Sequence, residues 1–194
     1  MNTYSSEHNQ KDSDLINRIC TGDENAFEQL YHHYYPRLFR FIGRTTWRED
    51  LNEEVINDVM YTVWEKAATY NHQCKLSTWI FGIAYNKTRQ ALRNQGHFDE
   101  DSLNAMEIEG DLFGEEDAEL KQLETREWLD SILKILSSDQ RVVIELTYFE
   151  GLHYSEIALL MDCPENTVKT RMHHARKILA VHLTNYKNAS GLMN

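Results

Sequence analysis

An all-α chain of two small helical domains, the second a helix-turn-helix, is what three features of this sequence predict. Apolar residues recur at steps of three and four; two prolines and eight glycines leave little material for the tight turns of an all-β fold; and one strongly acidic, weakly periodic stretch divides the chain. With 41% apolar and 11% aromatic residues the composition is globular, and each half buries only a modest core. No apolar run approaches the roughly 18 residues that span a bilayer, and the start MNTYSSEHNQKDSD lacks the basic-then-apolar order of a secretory signal. We therefore expect a cytoplasmic protein. Cys20, Cys74 and Cys163 are too few and too widely spaced for a disulfide framework or a CxxC metal site.

Residues 1–13 read as a polar tail. From Asp14 the first periodic segment sets Phe27, Leu30, Tyr31, Tyr34, Leu38, Phe41 and Ile42 on one helical stripe, with a kink or break expected at Pro36. A second segment places Val55, Val59 and Val63 one turn apart beside Ile56, Met60 and Trp64, which leaves Asn57, Asp58, Tyr61 and Glu65 pointing elsewhere. A third runs from about Ser77 to Leu92 on Trp79, Ile80, Ile83, Ala84 and Leu92. Together these form an N-terminal domain, 14–96. Residues 97–126 are strongly acidic, carry two glycines and read as a flexible, solvated linker. The stripe returns at Trp128, Leu129, Ile132, Leu133 and Leu136, then passes through Val142, Val143, Leu146, Tyr148 and Phe149 to Gly151, a residue suited to end a helix. The C-terminal domain is 127–186, and 187–194 is a tail.

A net charge of −11 opposes nucleic-acid binding, because backbone phosphates must be met by Lys and Arg. The distribution reverses that inference. No acid lies between Glu65 and Asp99, a stretch holding Lys66, Lys75, Lys87, Arg89 and Arg93, and none follows Asn166. In HYSEIALLMDCPENTVKTRMHHARKIL, Ile157, Ala158, Leu160 and Met161 form one buried side; Asp162, Cys163 and Pro164 break the helix; and Val168, Met172, Ala175 and Leu179 form the next stripe. At about 100° per residue, Thr170, His173, His174 and Lys177 lie opposite that stripe, flanked by Lys169, Arg171 and Arg176. The exposed face carries donors and cations. Because the start of such a second helix enters the major groove, Asn166, Lys169, Thr170 and His173 are candidate base readers, with Arg171, Arg176 and Lys177 reaching phosphates or guanines.

The run LSSDQRVVIELTYFEGLHYSEIALLMDCPENTVKTRMHHARKIL resembles the promoter-reading domain of the extracytoplasmic-function sigma factors of bacterial RNA polymerase. AFEQLYHHYYPRLFRF, EEVINDVMYTVWEKAATYN and LSTWIFGIAYNKTRQALR resemble that family's other domain, in the family's order. The resemblance implies that the EEVINDVMYTVWEK helix docks on the clamp of core RNA polymerase through Glu54, Asn57, Asp58 and Tyr61. It implies that Asn71, His72, Gln73, Lys75, Ser77, Thr78 and Trp79 belong to the segment that captures the minus-10 element of promoter DNA, and that the helix-turn-helix, His174 included, reads the minus-35 element. It also implies an anti-sigma factor, often membrane-linked. The chain departs from the family at Asn57 and Asp58, where Gln-Glu is common, at Gly82, Tyr85 and His174, where arginines are frequent, and at His153, which with Glu156 leaves half a capping box.

Enzymatic and metal chemistry find little support. Glu54 and Asp58 are one turn apart without converging partners, and the pairs His32-His33 and His173-His174 point about 100° apart on a helix. We expect no catalytic residue, metal, cofactor or small-molecule substrate. The alternatives are a conventional helix-turn-helix regulator with an N-terminal sensing domain and an adaptor that binds protein only. The basic aromatic N-terminal segment favours the sigma factor over the former, and the basic recognition face over the latter.

Overall fold

The computed structural model describes residues 3–94 and 129–189, and every described element is helical. The acidic linker expected over 97–126 lies outside the described residues, as does most of the tail after 187. In chain order the elements are α1 (Thr3–Ile19), α2 (Glu24–Thr46), α3 (Glu49–Lys66), a 3-10 turn (Ala67–Thr69), α4 (Leu76–Asn94), α5 (129–134), α6 (Ser138–Ile144), a π-helical turn (Glu145–Phe149), α7 (Tyr154–Leu160) and α8 (Glu165–Ala189).

Two expectations for the N-terminal part are corrected. The supposed polar tail is helical from Thr3, and Asp12 turns inward to accept a 2.7 Å bond from the buried Tyr34 hydroxyl. What looked like one helix from Asp14 onward is two. Gly22, at φ +83°, makes the turn, and the Asp23 carboxylate caps α2 by accepting from the Ala26 N–H at 3.0 Å while pairing with Arg18 at 2.8 Å. Pro36 does not end α2, which runs unbroken through it for 23 residues in all, Glu24–Thr46. Pro36 and His32, whose carbonyl loses its intrahelical donor, both lie on the exposed side, where water is available.

Tyr34, Leu38, Phe41 and Ile42 make α2 the axis of the N-terminal core, touched by α1, α3 and α4. A Cβ on Gly43 would stand 3.1 Å from the Asn52 amide nitrogen, so this glycine allows α2 and α3 their close approach. In the C-terminal half, Ser137 and Gln140 cap α6 reciprocally. Asp162, in the left-handed region at φ 52°, and Cys163 and Pro164 turn α7 into α8 as the spacing predicts. Val142, Leu146, Ile157, Val168, Met172 and Ala175 close that core.

The two halves are packed together. α4 meets α7 and α2 meets α6, with the Leu160 side chain 3.8 Å from where a Cβ on Gly82 would stand. Tyr85, on the same helix, is buried.

Candidate nucleic-acid and polymerase interfaces

α8 sorts its polar side chains as the stripe requires, because Val168, Met172 and Ala175 are buried and fix the helix about its axis. Asn166, Lys169, Thr170, His173, His174, Arg176 and Lys177 are exposed. Lys169 is tied only to Glu165, one turn back at 2.8 Å, and Thr170 donates to the Asn166 carbonyl. Arg176 donates to the Tyr148 hydroxyl at 3.0 Å across that ring. Arg171 behaves differently: it is half-buried, ion-paired with Asp139 and directed at the Cys163 sulfur. Its charge is engaged inside the C-terminal half.

The minus-10 candidates divide into a loop and a helix start. Asn71, His72 and Gln73 are exposed; the Asn71 side chain accepts from the Gln73 N–H, and His72 sits in the left-handed region at φ 58°. The Tyr70 hydroxyl closes this loop by donating to the Cys74 carbonyl. Ser77 and Thr78 are buried, and Trp79 is partly covered, 5.4 Å from the Tyr70 ring. Trp64, from the apolar stripe of α3, packs edge-on against Phe27 at 5.1 Å. Lys75 and Thr78 both meet Glu156 of α7, at 3.3 and 3.0 Å. Burial works to raise the Glu156 pKa, but the His153 N–H, Lys75 and Thr78 together hold it below the usual carboxylate range. The same carboxylate also serves the N-cap of α7, accepting from the His153 N–H at 2.8 Å.

On α3, Glu54, Asn57, Asp58 and Tyr61 share one exposed face, with Tyr61 66% accessible. Asp58 pairs with Lys87 at 3.4 Å and Asn57 accepts from the Tyr31 hydroxyl at 3.5 Å, so this face continues onto α2 and α4. A large exposed tyrosine among short polar groups is what a protein-docking surface presents.

A third cluster escaped the sequence reading. Arg37 and Arg40 share the Glu150 carboxylate at 2.6 and 3.1 Å, and Arg44 bridges Asp130 and Glu145, both at 3.0 Å. Burial pushes Glu145 up to about 7 although the Arg44 guanidinium pulls the other way. The π-helical turn brings these groups together, carrying Glu145 at its start and delivering Glu150 just beyond its end. The available signal was the step of three and four from Arg37 to Arg40 to Arg44, which sets all three along one side of α2.

Comparison with known proteins matches this geometry to a family. Residues 30–98 match Sigma-70 region 2 and residues 126–179 match Sigma-70 region 4. The chain is similar to the ECF RNA polymerase sigma factor RpoE of Cereibacter sphaeroides, 30% identical over 169 residues that cover 84% of this chain and 88% of that one. Among solved structures it is similar to CnrH in complex with the cytosolic domain of CnrY, with a TM-score of 0.66 at 22% identity over 90% of this chain and 98% of that one. It is also similar to the sigma factor RpoE in complex with the anti-sigma factor NepR from Bartonella quintana, with a TM-score of 0.58 at 25% identity over 81% and 96% of the two chains. Region 2 occupies the part of the chain that a conventional regulator would give to a sensing domain. The chain belongs to the extracytoplasmic-function sigma factors, transcription-initiation factors of RNA polymerase.

Proposed function

We propose that the two DNA-reading surfaces and the docking surface divide as follows. Glu54, Asn57, Asp58 and Tyr61 engage core RNA polymerase; Asn71, His72, Gln73 and Lys75 take up the minus-10 element; Asn166, Lys169, Thr170 and His173 read the minus-35 element, with Arg176 and Lys177 on phosphates. The observation that carries this reading is the α8 face, whose exposed side chains are donors and cations over the three turns after Asn166 in a chain of net charge −11. The protein acts in the cytoplasm, in keeping with the lack, among the described residues, of any helix long and apolar enough to cross a membrane. Run-off transcription with purified core polymerase on fragmented genomic DNA tests it: discrete transcripts that need this chain support the reading, and their absence with active core enzyme refutes it.

Control by a dedicated inhibitor belongs to the same proposal, supported by the anti-sigma complex of the Bartonella quintana relative. The inhibitor competes with polymerase for the α3 segment from Val55 to Trp64 and masks α8. In a pull-down, increasing inhibitor displaces polymerase in proportion; a ternary complex that is still inactive would place the inhibitor elsewhere.

A further inference from the structure

We propose that Arg37, Arg40 and Arg44 form a phosphate-binding strip for promoter DNA, which Glu150, Glu145 and Asp130 of the C-terminal half occupy while the chain is closed. The identity of the ligand rests on the sigma-factor reading above. The three arginines span two turns of α2, about 10 Å. Arg37 gives two bonds to one Glu150 oxygen, through Nε at 2.9 Å and its terminal nitrogen at 2.6 Å, and Arg40 must use the other oxygen at 3.1 Å. The Arg40 Nε is buried with no acceptor among the described residues. Two guanidinium forks thus compete for one carboxylate. A phosphodiester offers its free oxygens to a planar fork in the same manner as a carboxylate, and a strand of phosphates supplies each arginine with an anion of its own.

The strip also continues into the minus-10 candidates. The Arg37 guanidinium lies 5.4 Å from the Phe81 ring, Phe81 is one turn beyond Thr78 on α4, and Lys75 and Thr78 hold a further carboxylate, Glu156. Every ion pair across the junction among the described residues has its cation in the N-terminal half and its carboxylate in the C-terminal half. Random surface packing mixes the signs. Buried ion pairs scarcely offset their own desolvation, so a junction selected for stability alone would be apolar here. Acidic side chains held in an anion site, by contrast, leave when a better anion arrives.

The test uses the full-length chain, a labelled single strand of about 20 nucleotides and mixed sequence, and the matching duplex, read by fluorescence anisotropy over a salt series. Glu150→Gln removes the shared carboxylate with little change of shape and should tighten binding of the single strand about tenfold, the worth of one recovered charge-assisted contact. Adding Arg37→Ala and Arg40→Ala should return affinity to the wild-type level and reduce the salt slope on duplex by about two. Glu24→Gln, an exposed acid at the start of α2, makes the same change in net charge and should have less than about a twofold effect. The proposal is overturned if Glu150→Gln gains nothing, if the gain survives loss of the two arginines, or if labelled polyglutamate gains as much as DNA, which would indicate an acidic protein ligand. Should Glu150→Gln unfold by circular dichroism, Glu150→Asp, which withdraws the carboxylate by one methylene, carries the same comparison. Polymerase takes no part in these measurements, so their failure leaves the transcription assay standing, and the failure of that assay leaves the arginine strip standing.

Discussion

Glu145 is drawn two ways, toward neutrality by burial and toward charge by Arg44, with Arg40 helping the charge and Glu150 opposing it. Burial prevails, and the pKa in the closed chain is about 7 against an ordinary 4.5. Opening the junction would return the carboxylate to water and to its ordinary value. Because the closed-state pKa is the higher one, closing takes up a proton: its contribution is complete below pH 4.5 and is lost as pH rises through 7, at about tenfold in the closed-to-open ratio per pH unit inside that window. Glu156, held below the usual carboxylate range, has the opposite sign, and its contribution fades only as pH falls below 4.5. Between pH 5 and 8 the Glu145 effect therefore stands alone among these two, and a donor–acceptor pair on the two halves should report separation as pH rises. Glu145→Gln should flatten that profile; a flat wild-type profile would mean that Arg44 keeps Glu145 ionised throughout. None of this was legible in the sequence. Periodicity marks which positions are buried, and Glu145 falls between Ile144 and Leu146 with nothing to say that a cation 101 residues away would meet it. The Tyr34 to Asp12 bond is hidden for the same reason, since Asp12 sits in a stretch whose composition alone reads as tail.

Helices were the legible level. The stripes of α3 and α8 were readable because an apolar repeat near 3.6 residues has one structural solution at that length. On α4 the face is turned from the expected one: of Trp79, Ile80, Ile83, Ala84 and Leu92 only Ile80 and Ala84 are buried, and Phe81, Tyr85 and Thr88 complete the buried side. Of the kink or break expected at Pro36 the break does not occur, and the carbonyl freed one turn back, at His32, faces water that can satisfy it. Pro36→Ala should consequently stabilise the fold, by up to about 3 kcal/mol in a urea melt, and a loss of stability would show that α2 uses the proline to set its course. In α8 the faces were readable but the pairings were not. Arg171 and Lys169 both flank the exposed face by spacing, yet Arg171 is half-buried against Asp139 while Lys169 is exposed, paired only along its own helix with Glu165. Lys169→Ala and His173→Ala should each alter preference at particular minus-35 positions by about 1–3 kcal/mol, measured with holoenzyme on promoter variants. Arg171→Ala should instead lower the melting temperature and weaken all promoters alike. Equal shifts in base preference for Arg171 and Lys169 would overturn that division.

At the scale of the whole chain, the α3 face with Tyr61 stays exposed while Lys75 and Thr78 are covered by Glu156. On the proposed assignment, docking to polymerase requires no rearrangement, whereas bringing Lys75 and Thr78 onto DNA requires Glu156 to leave them. Asn57→Ala with Asp58→Ala should weaken core-polymerase binding about tenfold in a titration without changing the separation of the two halves, since neither residue lies at the junction. Unaltered core affinity would remove α3 from that interface. The closed arrangement itself could not be foreseen, because a junction between two separately patterned units leaves no period in the sequence. Gly82 is the exception, a bare position on α4 that, by family resemblance, often holds an arginine, and it is where Leu160 comes to rest. A side chain much longer than a methyl group at Gly82 would meet Leu160 of α7, so on the proposed assignment a missing cation and room for the two halves to pack fall at one position. For a molecule searching a genome this governs time more than affinity. On that reading an arginine there would prolong every encounter with duplex, and the glycine would leave long residence to those promoters where polymerase is already attached.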